Sequence, residues 1–146
     1  MGIRRKAREA ALQLLYAWDL SQGISPHHFE VASQEARLPL SGADEVEARR
    51  QDLNHFCKKL IDGVLAHREV LDEVIQATAT HWRLSRMDAV DRNLLRMGAF
   101  EILHCPDIPK QVTLNESIEL AKKFSTKESS GFINGILDHI AKEKAS

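Results

Sequence analysis

Apolar residues recur along the chain with the three-and-four spacing of amphipathic helices, and no stretch of useful length alternates as a strand would. The first stripe predicts a helix over 4–18, followed by a break at 21–23 and a short second helix over about 25–37. A loop over 38–43, which contains proline and glycine, then precedes a long third helix over about 44–67. This loop is too short and too apolar for a flexible linker, so no domain boundary is expected there.

The second half of the chain continues the helical pattern. A fourth helix is predicted over 70–79, and the segment 89–104 carries apolar residues on more than one face. The helix over 89–104 is therefore expected to be the central helix of the fold. Ser85, with Asp88 three residues later, predicts the N-cap of this helix.

Two further helices complete the predicted fold. The prolines within 105–109 end the central helix, and Thr113 with Glu116 reads as the capping box of the next one. A polar break over 125–131 then precedes the last helix. The pattern predicts an all-α protein, a single compact bundle of about seven helices in one domain over 1–146.

The composition is that of an ordinary globular domain. Of 146 residues, 43% are hydrophobic and 28% are charged, which is too apolar for a disordered chain. No apolar run of about 18 residues and no signal-peptide block is present, so we expect a cytoplasmic protein without a membrane segment. Cys57 and Cys105 belong to no Cys-x-x-Cys pair, which fits a reducing compartment.

Positive charge is concentrated at the start of the first helix. The net charge is only −1, but residues 1–8 contain four cations and no acid. On a helical wheel the inward side holds Ile3, Ala7, Ala10, Ala11, Leu14, Leu15 and Trp18. The opposite side holds Arg5, Glu9, Gln13 and Tyr16, with Lys6 and Arg8 on its flanks.

An exposed aromatic ring can stack on a base, and nearby cations can contact phosphates. Together they are the minimal set of groups for binding single-stranded nucleic acid. The alternative is that the cations form an ordinary solvated face and that Tyr16 packs against a neighbouring helix. The first helix alone leaves both interpretations open.

Motifs for chemistry are scarce. The sequence has no glycine-rich dinucleotide motif, phosphate loop or nucleophile elbow, and its seven histidines never repeat as His-x-x-x-His. We therefore expect no enzyme activity, no catalytic residue, no metal and no cofactor. Asp91 is followed by Arg92, and on the residues alone a structural ion pair is the expected role of its carboxylate.

Four segments together resemble the NusB transcription antitermination factor family, in order and at similar separations. They are RRKAREAALQLLY at 4–16, DRNLLRMGAFEIL at 91–103, VTLNESIELAK at 112–122 following Pro109, and FINGILD at 132–138. The resemblance implies an all-helical RNA-binding protein that pairs with the ribosomal protein NusE. The pair is expected to bind the single-stranded boxA element of ribosomal RNA leader transcripts. With other Nus factors it would join the RNA polymerase elongation complex and help it read through terminators.

The resemblance also implies which residues meet these partners. For RNA they are Arg4, Arg5, Lys6, Arg8, Gln13, Tyr16, Phe124, Glu128 and Phe132, and for NusE it is Asp91, whose expected ion pair gives way to an interface role. Two departures weaken individual contacts: Phe100 stands where relatives often have tyrosine, and Gly131 where some have a basic residue.

Two other functions stay open at this point. Related helical domains position RNA in some ribosomal RNA cytosine methyltransferases, and a helical protein-interaction module could carry an incidental basic arm. The family includes monomers and homodimers, so the oligomeric state is also open. Four phosphate contacts would give a slope of log affinity against log salt of about −3, which predicts weak RNA binding without a partner.

Overall fold

A computed structural model describes residues 2–21 and 43–145 of the chain. This part of the chain is all-helical and contains no strand, so the predicted all-α class is confirmed. Its helices are α1 (Ile3–Ser21), α2 (Ala43–Ala66), α3 (Arg68–Thr78), α4 (Ala89–His104), α5 (Lys110–Phe124) and α6 (Lys127–Ala145), with a short 3₁₀ turn at Leu84–Arg86. The helix predicted over 25–37 and most of the loop predicted after it lie outside the described residues.

The chain folds into two compact units, Met1–Leu65 and Ala66–Ser146. The first unit contains α1 and nearly all of α2. The second contains α3 to α6. The single domain that the sequence predicts over 1–146 stays a prediction.

In the first unit, α1 buries one helical stripe, made of Ala7, Arg8, Ala11, Leu12 and Leu15. The buried stripe observed in α1 is therefore rotated around the helix axis, relative to the predicted stripe, by the angle of about one residue. Leu12 and Arg8 are buried, whereas Leu14 and Trp18 are only half-buried. The buried positions of α2 follow the predicted spacing and are Leu53, Phe56, Cys57, Leu60, Ile61 and Val64.

In the second unit, α4 is the central helix, as predicted. It begins and ends at the predicted residues, Ala89 and His104. All ten residues of Asn93–Ile102 are buried, and α4 packs against α3, α5 and α6. The buried Arg96 of α4 forms an ion pair with Asp72. The guanidinium of Arg96 donates from Nε and Nη2 to the two carboxylate oxygens of Asp72, at 2.8 and 3.0 Å. A two-pronged pair of this kind satisfies a charge that would otherwise be costly to bury.

Two predicted capping residues have other roles. The N-cap of α4 is Asp88, whose carboxylate accepts from the backbone N–H of Val90 at 2.8 Å, and Ser85 lies in the 3₁₀ turn before it. The capping box at Thr113 is wrong, because α5 already begins at Lys110. The buried Thr113 hydroxyl instead donates to Glu101 at 2.9 Å, so a tertiary partner replaces the local cap.

The predicted polar break over 125–131 is too long. Only Ser125 and Thr126 separate α5 from α6. The Thr126 hydroxyl accepts from the backbone N–H of Ser129 at 3.0 Å, which is the bond of a side-chain N-cap and lets the helix begin at Lys127.

Candidate nucleic-acid interface

The first two turns of α1 carry the cationic end of the first unit. The side chain of Arg4 is exposed, those of Arg5 and Lys6 are half-buried, and no acidic residue lies in the first turn. The N-terminus of a helix carries a partial positive charge and unpaired backbone N–H groups. Side chains and helix end therefore add up to a positive potential suited to phosphate.

Arg8 does not lie where the helical wheel places it. Its side chain is only 3% exposed, and its guanidinium carbon lies 5.1 Å from the ring centroid of Phe56 on α2. Arg4 approaches the same ring, at 4.6 Å. The flank position expected for Arg8 is thus wrong, because the aromatic face of Phe56 offers the guanidinium a favourable buried contact.

Tyr16 and Gln13 are exposed on α1, as predicted. Tyr16 is 38% exposed, and Gln13 lies three residues before it, on the same side of the helix. This exposure leaves the ring accessible, and it is also compatible with the alternative in which the tyrosine is partly tucked against a neighbouring helix. We refer to Arg4, Arg5, Lys6, Gln13 and Tyr16 as the α1 face.

The remaining predicted RNA residues lie in the second unit, around the corner between α5 and α6. Phe124 ends α5 half-buried, with the Nζ of Lys123 at 5.4 Å from its ring centroid. Glu128 is exposed on the first turn of α6, and Phe132 is half-buried one turn later.

A hollow of about 400 Å³ brings Glu128 and Phe132 together with Asp91, for which the family resemblance implies a contact with NusE. Phe124 is not part of its lining. The other lining residues are Trp82, Arg86, Met87, Asp88, Thr126 and Ser129. We call this cavity the acidic hollow, because three carboxylates line it.

Sequence reasoning missed Trp82. Its side chain is 62% exposed, and its ring meets that of Phe132 edge to face, with centroids 5.9 Å apart and planes at 76°. The available signal was a large aromatic residue among polar neighbours, in a segment without apolar periodicity. The partner ring lies 50 positions further along the chain.

Asp91 ties the α5–α6 corner to α4. One carboxylate oxygen accepts from the Ser125 hydroxyl and the other from the Ser129 hydroxyl, each at 2.8 Å. The following Arg92 donates to the carbonyls of Leu84 and Met87, at 3.1 and 3.0 Å. Asp91 therefore holds the segment that carries Glu128 and Phe132.

The two thiols and the potential metal ligands are the groups that a reactive or metal-binding site would use. Cys57 and Cys105 are both buried and neither forms a disulfide, and burial raises the pKa of the Cys57 thiol to about 11. A thiol with a pKa raised in this way is inert at neutral pH. Among residues 2–21 and 43–145, no group of three potential metal ligands comes together, and no helix is both long and apolar enough to cross a bilayer.

These features define an all-helical protein with cations and exposed aromatic rings, the surface chemistry of single-strand nucleic-acid binding. The model of the NusB family matches residues 5–142. The chain belongs to the NusB family.

Individual relatives agree over nearly the whole chain. The transcription antitermination protein NusB of Myxococcus xanthus is 42% identical over 141 residues, covering 97% of this chain and 96% of the relative. The structure of NusB from T. maritima superposes with a TM-score of 0.82 at 32% identity, over 96% of this chain and 91% of that one. A chain from the crystal structure of antitermination factors NusB and NusE in complex with dsRNA superposes with a TM-score of 0.79 at 27% identity, over 98% of each chain.

Proposed function

We propose that this chain is a transcription antitermination factor that binds boxA RNA of ribosomal RNA leader transcripts together with the ribosomal protein NusE. Its role is to join the RNA polymerase elongation complex with other Nus factors, in the cytoplasm and without a catalytic step. Two findings support this function: the family membership and the similarity to a chain from the structure of NusB and NusE in complex with dsRNA.

The α1 face is the observation that carries the proposal. Its three cations lie within one turn at the positive end of α1, and Tyr16 presents an exposed ring further along the same helix. Cations neutralise phosphates, and an exposed ring stacks on unpaired bases whatever their sequence. Single-stranded RNA fits this combination better than a duplex does, because bases in a duplex are already stacked.

In this proposal Arg8 supports the RNA-binding surface without contacting the RNA itself. Its guanidinium is buried over Phe56, so it holds α1 on α2 and thereby fixes the direction of Arg4 and Arg5. The direct phosphate contacts then fall from four to three. Their contribution to the salt slope becomes about −2, and a fourfold rise in salt costs the isolated chain roughly twentyfold in affinity.

In the second unit, the proposed RNA contacts are Phe124, Glu128 and Phe132, and Asp91 is the proposed NusE contact. A partner is needed because three cations and one stacked ring supply little affinity on their own. A NusE surface that adds phosphate contacts would raise affinity without any change in this chain.

The test is RNA binding by an Arg5→Ala/Lys6→Ala variant, measured by anisotropy of a labelled boxA RNA over a salt series. Two lost phosphate contacts should flatten the slope by about 1.4 and lower the affinity at low salt. The matched control, Arg49→Ala/Lys59→Ala, also removes two cations, both from exposed positions on α2. Equal loss in both variants, or none in either, would rule out the α1 face as the binding surface.

A further inference from the structure

We propose that Trp82 is the centre of a second nucleotide site, which holds one unpaired nucleotide of the RNA with its base on one side of the indole and its phosphate on the other. The proposal rests on the proposed function for the identity of the ligand, RNA. Its residues Trp82, Arg83 and Arg86 are additional to those assigned above.

The base side is formed by two rings at right angles. Trp82 is 62% exposed and touches Phe132 edge to face, so the two rings form a corner that is open on one side. A flat base that stacks on one ring meets the edge of the other, which is a favourable geometry for aromatic groups. Two rings therefore fix the orientation of a base better than one.

Two neighbouring hollows share Trp82, Arg86 and Met87 but differ in charge. The acidic hollow, of about 400 Å³, contains the carboxylates of Asp88, Asp91 and Glu128. The second, of about 410 Å³, is lined by His81, Trp82, Arg83, Arg86 and Met87 and contains no carboxylate; we call it the basic hollow.

This difference assigns the two ends of a nucleotide. A phosphate is repelled by the three carboxylates of the acidic hollow, whereas the basic hollow offers it Arg83 and the shared Arg86 without a carboxylate. A base with an amino group has the opposite preference, since carboxylates accept hydrogen bonds from exocyclic amino groups. The base therefore enters the acidic hollow beside Phe132, and Trp82 lies between base and phosphate.

The segment that carries Trp82 is held in place by side chains around it. The amide of Gln76 donates to the Trp82 carbonyl at 2.8 Å and accepts from the Leu84 backbone N–H at 2.8 Å. Arg92 donates to the carbonyls of Leu84 and Met87 from the other end of the segment. An exposed aromatic on a backbone fixed in this way loses little conformational freedom on binding, which favours a binding role.

The acidic hollow is fixed as well. Asp91 already accepts two serine hydroxyls, and Asp88 accepts the capping N–H of Val90. Glu128 has no such bond among the described residues and is exposed. Its carboxylate is therefore the group available to accept from a base amino group.

The first test combines Trp82→Ala with an abasic scan of the boxA RNA. One stacked base is worth about 5- to 150-fold in affinity. Trp82→Ala should cause a loss in this range, and Trp82→Phe a smaller one. One abasic position should weaken wild-type binding by a similar factor yet have little further effect on the Trp82→Ala protein. This non-additivity marks the base that meets the indole.

The second test concerns the phosphate. Arg83→Ala/Arg86→Ala should flatten the salt slope by about 1.4, whereas Val70→Ala, which truncates an exposed side chain outside both hollows, should leave binding unchanged. Circular dichroism of each variant verifies that the helices are intact.

Three outcomes overturn the proposal. Abasic and Trp82→Ala effects that simply multiply would remove the base contact, and an unchanged salt slope in the double-arginine variant would remove the phosphate contact. If Trp82→Ala weakens binding of NusE while RNA binding by the isolated chain is unaffected, the corner is a protein contact. In all three cases boxA binding still depends on the α1 face, so the proposed function survives. Loss of that dependence would instead refute the proposed function.

Discussion

Replacing Asp91 by alanine distinguishes a residue that builds the α5–α6 corner from one that only meets a partner. The substitution removes both hydroxyl bonds, from Ser125 and Ser129, and a negative charge in the first turn of α4. A hydrogen bond to a charged group contributes about 1.5–3 kcal/mol when it is well shielded. Because Asp91 is half-exposed, the lower end applies, and the two bonds together should contribute about 3 kcal/mol.

Thermal unfolding measures this loss directly. For a chain of this length, 1 kcal/mol corresponds to about 2–4 °C, so Asp91→Ala should lower Tm by roughly 6–12 °C. Asp91→Asn keeps one acceptor oxygen and should lose less. A double-mutant cycle supplies the control, since Ser129→Ala should cost measurably less in the Asp91→Ala background than in the wild type.

An Asp91→Ala protein that unfolds within about 1 °C of the wild type would refute this reasoning. If it also lost NusE binding, Asp91 would be an interface residue alone. Loss of both stability and NusE binding would instead mean that the carboxylate shapes the corner and meets the partner from it.

Two further predictions concern the second unit. Gly98→Ala places a Cβ 2.5 Å from Cδ1 of the buried Leu137, and overpacking costs of about 1–3 kcal/mol outweigh the gain of about 1 kcal/mol in helix propensity. Urea unfolding of Gly98→Ala should show a lower free energy of unfolding, and this loss should disappear in a Leu137→Ala background. A Gly98→Ala protein that is more stable than the wild type would contradict the close packing. Desolvation, followed by electrostatic repulsion from His67 and Lys144, lowers the pKa of His104 below its ordinary 6.5. As the pH falls, the unfolded chain therefore takes up this proton first. The free energy of unfolding should therefore fall as the pH drops below about 6.5. In urea titrations between about pH 7.5 and 5, His104→Gln should show a smaller fall than the wild type. An identical pH dependence in both proteins would exclude His104 as its source.

Helices with strong periodicity could be predicted from the sequence, whereas the tertiary partners of polar residues could not. The central helix α4 was predicted with its observed ends, because its apolar residues and the following prolines leave little choice. Thr113 was misread because a threonine three residues before a glutamate is equally suited to a cap and to a buried bond with Glu101. The choice between them depends on a residue in another helix.

The candidate interface shows the same division. The outward direction of Tyr16 follows from helical geometry, and the structure agrees. The burial of Arg8 depends on Phe56, a ring 48 positions away, and a helical wheel contains no information about it. Trp82 and Phe132 likewise meet only after folding, so no local pattern could pair them.

The most direct test of the central claim is a titration of labelled boxA RNA with this chain, with and without NusE, over a salt series. We expect weak, salt-sensitive binding by the chain alone, with the α1 face contributing about −2 to the slope, and a gain of at least about tenfold when NusE is added. Equally tight binding with and without NusE would contradict the account, as would binding by the chain alone that does not respond to salt.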